Sequence, residues 1–482
     1  MAMNFKEGRW NHEINVTDFV KTNITPYEGD ASFLVGPTER TKAVWNKCLE
    51  ALAEERANNG VRSLDPSTVS TITSFAPGYI DKENEVIVGL QTDEVLRRAI
   101  KPFGGIKVVE KACRENGVEV DPKVKDIFTH YRKTHNDGVF DAYTEEIRSF
   151  RSLGFLTGLP DNYARGRIIG DYRRLALYGL DRLIEAKQND LRHLTGPMTD
   201  ARIRLREEVA EQIKALKEIK VMGEQYGLEL GRPAHNAQEA VQWVYMAYLA
   251  AVKEQDGAAM SLGNVSSFLD IYIEYDMAHG LIDEAHAQEL IDQFVIKLRM
   301  VRHLRMQAYT DIFAGDPTWV TESIGGRFND GRTKVTKTSF RFLQTLYNLG
   351  PSPEPNLTVL WSPELPEGFK NFCAQVSIDT SSIQYENDDL MREVRNSDDY
   401  GIACCVSYQD IGRHIQFFGA RCNLAKALLL AINGGRCENT GTLMVKDIPA
   451  LSGDVLNFEE VLANYKKVLK EMARVYNEAM NI

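Results

Sequence analysis

A surplus of positive charge is the first thing missing from this 482-residue chain: 57 Lys and Arg stand against 68 Asp and Glu, a net charge of −11. With a pI near 5.5, that balance argues against non-specific nucleic-acid binding, which relies on a basic surface. It argues equally against an anionic membrane as partner. Long apolar runs are missing too. No stretch of about 18 apolar residues occurs, so no membrane-spanning helix is expected. Met1 to Trp10 carries no apolar core of signal-peptide length. Cysteine is sparse and odd in number: Cys48, Cys113, Cys373, Cys404, Cys405, Cys422 and Cys437. Such a set does not read as a disulfide framework, and a reducing cytoplasm is the expected compartment. No Cys-x-x-Cys pair occurs, and His414 has no partner at ligand spacing, so no zinc or other metal is expected. The glycine pairs Gly104-Gly105, Gly325-Gly326 and Gly434-Gly435 lie in no phosphate-loop or dinucleotide fingerprint and read as turns or tight packing. Internal repeats, low-complexity tracts and long linkers are absent.

What is present is an ordinary globular composition, 43% hydrophobic and 26% charged. At about 150 residues per domain the length allows roughly three domains or one large α/β barrel. Helical periodicity dominates. Helices are expected over 200–227, over 236–255 with Asn236 and Glu239 as a capping pair, over 283–309 and over 458–482. The segment from Ile168 to Leu183 also carries apolar residues at helical spacing, which places Arg167 at a helix start, where free backbone N–H groups favour an anion. Short apolar runs at Leu357 to Trp361 and Ile402 to Val406 read as strands. Such strands between long helices favour an α/β barrel or layered sheet with buried parallel strands.

The adjacent cysteines Cys404 and Cys405 are the most informative feature. Neighbouring Cα atoms sit about 3.8 Å apart, less than the roughly 5.5–6 Å of a relaxed disulfide. A ring between them would be strained, and two free thiols beside one small substrate are the more useful arrangement. The alternative is a pair of small buried hydrophobes. Arg421, after Phe417-Phe418-Gly419-Ala420, could offer a fork to a carboxylate in an apolar pocket, or form an ordinary buried ion pair. Arg165 and Arg167 could hold an anion or sit in a solvated basic turn. Phe313 and Trp319 could wall a pocket or belong to a core aromatic cluster. Glu386, Asp388, Asp389, Asp398 and Asp399 could hold a hard cation, but their spacing matches no known loop, and a solvated or ion-paired loop fits better.

Several further motifs run nearly end to end: Thr25-Pro26-Tyr27-Glu28-Gly29-Asp30, Gly89-Leu90-Gln91-Thr92, Arg165-Gly166-Arg167-Ile168-Ile169-Gly170, Gly350-Pro351-Ser352-Pro353-Glu354-Pro355-Asn356, Ser381-Ser382-Ile383-Gln384-Tyr385-Glu386 and Phe417-Phe418-Gly419-Ala420-Arg421. With the cysteine pair they resemble the pyruvate formate-lyases, a family of glycyl radical enzymes. The resemblance implies an α/β fold, a helix-wrapped barrel of two antiparallel half-sheets of parallel strands, entered from one end by a loop bearing the cysteines. It implies one catalytic region over 1–482 with acyltransferase chemistry, pyruvate and coenzyme A going to acetyl-CoA and formate in anaerobic fermentation. Cys405 would hand a hydrogen atom to a glycyl radical, and Cys404 would add to the pyruvate carbonyl and carry the acetyl group. Arg167 and Arg421 would clamp the carboxylate, and Phe313, Trp319, Phe418 and Ala258 would wall the pocket. A radical S-adenosylmethionine activating enzyme is the implied partner. A cysteine S–H and a glycine Cα–H bond are close in strength, so a radical passes between them without a steep climb.

The family's radical segment, read as Arg-Val-Ser-Gly-Tyr, has no counterpart here, and the last glycine is Gly453. The expectation is therefore the first half-barrel plus the cysteine loop. The glycyl radical would be supplied by another chain or be missing through truncation, and the chain would form a homo-oligomer or join a complementing radical-domain chain. A non-catalytic scaffold of the family is the alternative. Diol dehydratases and amine lyases of the wider group keep a glutamate close after one radical cysteine. Here Val406-Ser407 follow, which favours acyl transfer over elimination. Pyruvate and 2-ketobutyrate stay open as substrates, as do the coenzyme A contacts. Tyr408-Gln409-Asp410-Ile411 and Cys422 also depart from the family pattern.

Overall fold

The computed structural model describes residues 3–158, 167–255, 259–313, 315, 318–405, 407–416, 421–451 and 455–481. The chain divides into two compact units, one of Met1–Lys101, Lys111–Val120 and Arg167–Ile415, the other of Pro102–Glu110, Asp121–Gly166 and Gln416–Ile482. Among the described residues, no helix is long and apolar enough to cross a membrane.

In the first unit five short strands run parallel: β1 (Arg167–Ile169), β2 (Met260–Ser261), β3 (Thr321–Gly325), β4 (Asn356–Trp361) and β5 (Ile383–Asn387). β1 pairs with β2, and β3 with β4 and β4 with β5. A parallel bridge from Gly263 to Glu322 joins β2 to β3. Parallel neighbours need long crossovers, and helices supply them here. The strands alternate sharply. Ile324, Leu357 and Val359 enter the helix-packed core, while Thr321, Ser323, Asn356 and Thr358 share the other face. This is the α/β half-sheet expected from the sequence.

Helix Ala237–Glu254 is apolar on almost every side and packs against Arg173–His193, Ser266–Ala278 and Glu284–Arg299, as a fully buried helix should. Glu322 lies on the helix side of β3. Its carboxylate accepts the Val265 and Ser266 amides at 3.2 and 2.9 Å, at the start of helix Ser266–Ala278. Burial raises it to about 8, against those bonds. The second unit packs Leu424–Ile432 on Phe458–Met480 over Ile147, Phe150, Leu430, Val468 and Met472.

The helices expected at 200–227, 236–255 and 458–482 stand as Asp200–Gln225, Ala237–Glu254 and Phe458–Met480. Asn236 caps the second by accepting the Glu239 amide at 2.8 Å. Glu239, however, turns to Arg232 and the His235 amide instead of closing a reciprocal pair. The helix expected over 283–309 ends at Arg299, and a short helix follows at Gln307–Phe313. The Arg302 guanidinium takes the Arg299 and Val301 carbonyls at 3.0 and 2.8 Å and grips Glu55, so the next turn never closes. The helix expected from Ile168 begins only at Arg173. β-Branched Ile168 and Ile169 pair with β2 instead. Gly179 breaks that helix with φ 69°, where a Cβ would fall 2.4 Å from the Arg232 carbonyl carbon.

Candidate active site

The strand expected at Ile402 to Val406 is shorter and turns back. β6 (Tyr400–Ala403) and β7 (Ser407–Asp410) form an antiparallel hairpin whose register pairs Ala403 with Ser407 and Tyr400 with Asp410. Cys404 and Cys405 therefore occupy its tip. The hairpin is drawn close to the sheet because Gly401 meets Gly263. A Cβ on Gly401 would lie 2.8 Å from the Gly263 Cα.

Cys404 adopts φ 64°, the left-handed region that costs a side-chain-bearing residue about 1–2 kcal/mol. The sheet supplies the compensation from four successive strands. Ser261 on β2 accepts the Cys404 amide at 3.2 Å. Thr321 on β3 and Asn356 on β4 both donate to the Cys404 carbonyl, at 2.5 and 3.2 Å. Gln384 on β5 donates to the Cys405 carbonyl. One row further along, Ser323 accepts the Ile402 amide at 2.9 Å. The polar face of the half-sheet thus satisfies the backbone of an inserted hairpin, as buried polar groups require.

The two sulfurs lie 3.4 Å apart. Cys404 is buried and Cys405 exposed. Burial, then the neighbouring Cys405 thiol, pushes Cys404 up to about 12 against the opposing charge of Arg167. It is a neutral S–H at pH 7. That is the reverse of an ionic cysteine nucleophile, whose thiolate is stabilised. Both cysteines line a cavity of about 950 Å³, together with Trp319, Glu354, Asn356, Gln384 and Arg305. Trp319, half-buried, holds φ 48° because its amide donates to Glu354 at 2.6 Å. Its ring meets Tyr309 edge-on at 6.2 Å under the Arg305 guanidinium. Ser261 also donates to the Trp319 carbonyl at 3.4 Å, tying the wall to the cysteine tip.

Of the residues singled out in the sequence, Arg167, Trp319, Cys404 and Cys405 come together in the first unit. Arg167 sits on β1 rather than at a helix start, and it donates to Ser407, three residues after Cys404. Arg421 lies in the second unit, exposed, on a two-residue strand paired with Leu156–Thr157. Ala258 and Phe418 fall outside the described residues. Phe313 closes helix Gln307–Phe313, and its side chain is likewise outside what the structure describes. The acidic cluster is ion-paired: Asp388 and Asp389 with Arg392, Asp398 with Lys21, Asp399 with Arg173. Among the described residues no group of three or more His, Cys, Asp or Glu is arranged to hold a metal ion. Ser261 and Thr321 escaped the sequence reading, and Asn356 and Gln384 stood there in family motifs without a role. For Asn356 the signal was the alternation of polar with apolar residues in Asn356-Leu357-Thr358-Val359; in Thr321-Glu322-Ser323-Ile324 the charged Glu322 on the helix side hides it.

A family model described as pyruvate formate lyase-like matches residues 7–482. A formate acetyltransferase from Haemophilus influenzae is 56% identical over 483 residues, covering 99% of this chain and 63% of that protein. The B12-independent glycerol dehydratase from Clostridium butyricum, solved with glycerol, superposes with TM-score 0.74 at 19% identity, covering 94% of this chain and 64% of the other. A hydroxyproline dehydratase from Clostridioides difficile gives 0.71 at 17%, covering 92% and 64%. A glycyl radical enzyme from Archaeoglobus fulgidus gives 0.65 at 17%, covering 95% and 63%. At such identities these structures establish the fold. The chain spans a little under two thirds of the length of these relatives.

Proposed function

This chain belongs to the pyruvate formate lyase-like family, and from that premise we propose that residues 1–482 carry the thiol-bearing catalytic region of a formate C-acetyltransferase. The observation that carries the reading is the thiol pair: two sulfurs 3.4 Å apart on a cavity wall, the inner one a neutral S–H. A thiol that must give and take hydrogen atoms has to keep its hydrogen, and burial ensures that here.

A glycyl radical would supply one chemistry here, the removal of a hydrogen atom from a thiol. The exposed Cys405 gives that hydrogen. Cys404, in sulfur contact, passes its own hydrogen to Cys405 and becomes the thiyl radical. Its sulfur forms a bond to the pyruvate carbonyl carbon. The bond from that carbon to the carboxylate then breaks, leaving an acetyl thioester on Cys404 and a formate radical anion, which regains a hydrogen atom from a thiol as formate. Coenzyme A takes the acetyl group by thioester exchange, and its proton passes to Cys404. Arg167 holds the substrate carboxylate and Trp319 excludes water around the methyl group; the family resemblance assigns Arg421 to the same carboxylate and Phe313, Phe418 and Ala258 to the same wall. An activating enzyme using S-adenosylmethionine generates the radical.

The experiment mixes the chain anaerobically with a radical-carrying partner, activating enzyme, S-adenosylmethionine, pyruvate and coenzyme A, and measures formate. Formate is expected from the wild type and lost in both Cys404→Ser and Cys405→Ser. Formate persisting in either variant refutes the assigned roles, and a wild type that binds pyruvate without turnover supports a scaffold. Running 2-ketobutyrate beside pyruvate identifies the preferred ketoacid.

A further inference from the structure

We propose that Ser261, Thr321, Asn356 and Gln384 are positioning residues that give two chemically identical neighbours different tasks. In an extended strand adjacent side chains point to opposite faces, which would carry the sulfurs of Cys404 and Cys405 apart. The left-handed conformation of Cys404 brings them to one side instead, 3.4 Å from each other, with one sealed and the other open. Nothing intrinsic to cysteine favours that conformation. It is held from outside, through three of the four backbone polar groups of the dipeptide. Ser261 takes the Cys404 amide, Thr321 and Asn356 the Cys404 carbonyl, and Gln384 the Cys405 carbonyl. The four come from four consecutive strands, so the order and register of the half-sheet set where each backbone group is held. None of them needs to touch a substrate to do this. The division of tasks rests on the thiol-pair reading above, but the geometry can be tested without turnover.

The test is site-resolved alkylation of the intact, reduced chain with iodoacetamide. The label on each cysteine is read by fragmentation mass spectrometry of the peptide containing both, with thermal melting in parallel. In the wild type and in Thr321→Ser, Cys405 is expected to react about tenfold or more faster than Cys404. Thr321→Val keeps the volume and removes the hydroxyl. The lost hydrogen bond, worth about fivefold in a conformational equilibrium, should bring the two rates together by about that factor, with a melting-temperature drop no larger than that one bond accounts for. A Thr321→Val ratio equal to wild type overturns the proposal. If Thr321→Val does not fold, Gln384→Met, which removes the donor to the Cys405 carbonyl together with the bonds to Asn356 and Glu386, is read in its place under the same criterion. Failure here is separable from failure of the catalytic reading. Formate produced with an unmoved ratio removes the positioning role alone, and a shifted ratio without formate removes the chemistry alone.

Discussion

Replacing Arg173 by Met tests what anchors the cysteine hairpin at its base. The Arg173 guanidinium is 2% exposed and donates to both Asp399 oxygens, at 2.9 and 2.8 Å, and to Asp171 at 2.8 Å. Asp399 immediately precedes β6. Removing one partner of a buried pair costs about 3–5 kcal/mol, because the other charge stays behind. Asp399 keeps 19% of its side chain exposed and retains the Thr17 hydroxyl at 2.6 Å, and Asp171 retains Arg174 at 3.1 Å. The lower end of that range, about 3 kcal/mol at pH 7, is therefore expected. The pH dependence is the sharper signature. In the wild type burial pushes the Asp399 carboxyl up, but the Arg173 charge and hydrogen bonds, with Thr17, outweigh it and leave it below the usual carboxylate range. Its contribution is present above about pH 4 and lost only as pH falls through the lower folded value, so from pH 5 to 7 it adds no slope. In Arg173→Met only the Thr17 hydrogen bond and the Lys334 charge still oppose burial, so the Asp399 carboxyl rises. The folded carboxyl then keeps a proton that the unfolded chain has released, and stability falls as pH rises, by up to about 1.4 kcal/mol per pH unit per proton. Urea unfolding followed by circular dichroism at pH 5, 6 and 7 reads both effects. Parallel wild-type and variant lines, or a loss under about 1 kcal/mol at pH 7, would refute the reasoning.

Three further outcomes follow from the same geometry. Gly401→Ala places a methyl 2.8 Å from the Gly263 Cα, where only backbone can yield. A loss of about 1–3 kcal/mol in urea denaturation is expected, and an unchanged midpoint contradicts the close approach. In Cys405→Ser, the alkylation rate of Cys404 should climb about tenfold per pH unit from pH 7 to 10 without levelling, since burial holds that thiol far above the usual range. A plateau near pH 9 shows the site is wet. If Arg421 belongs to the carboxylate clamp of the proposed function, Arg421→Lys weakens pyruvate binding by about tenfold in calorimetry, because a point charge cannot reproduce a planar fork. Equal affinity removes Arg421 from the carboxylate clamp.

Local signals were readable in the chain and distant ones were not. The cap at Asn236 needed only the next three residues, and the helix begins there. The end of helix Glu284–Arg299 depends on Arg302 reaching Glu55, some 247 positions away, and no window of sequence contains both. The cysteine pair announced itself by adjacency alone. Its placement at a hairpin tip did not, because Ile402 to Val406 is apolar enough to read as one strand, and the turn is fixed by side chains on four other strands. Arg167 was visible as a basic residue beside a helical pattern. Pairing of β1 with β2 across some ninety residues overrode that pattern. The family resemblance supplied what periodicity could not, a reason to expect Arg167 and Cys404 near one another.

The inner face of the half-sheet has a consequence for anyone who would stabilise this protein. Ser261, Thr321 and Ser323 are buried in parallel strands, where Val and Ile are the commonest occupants. Design guided by strand preference and apolar burial would exchange them first and count each exchange as an improvement. The strands would tolerate it, but the finger they receive would lose its sockets, and the outcome would be a sturdier molecule with nothing inserted at its centre.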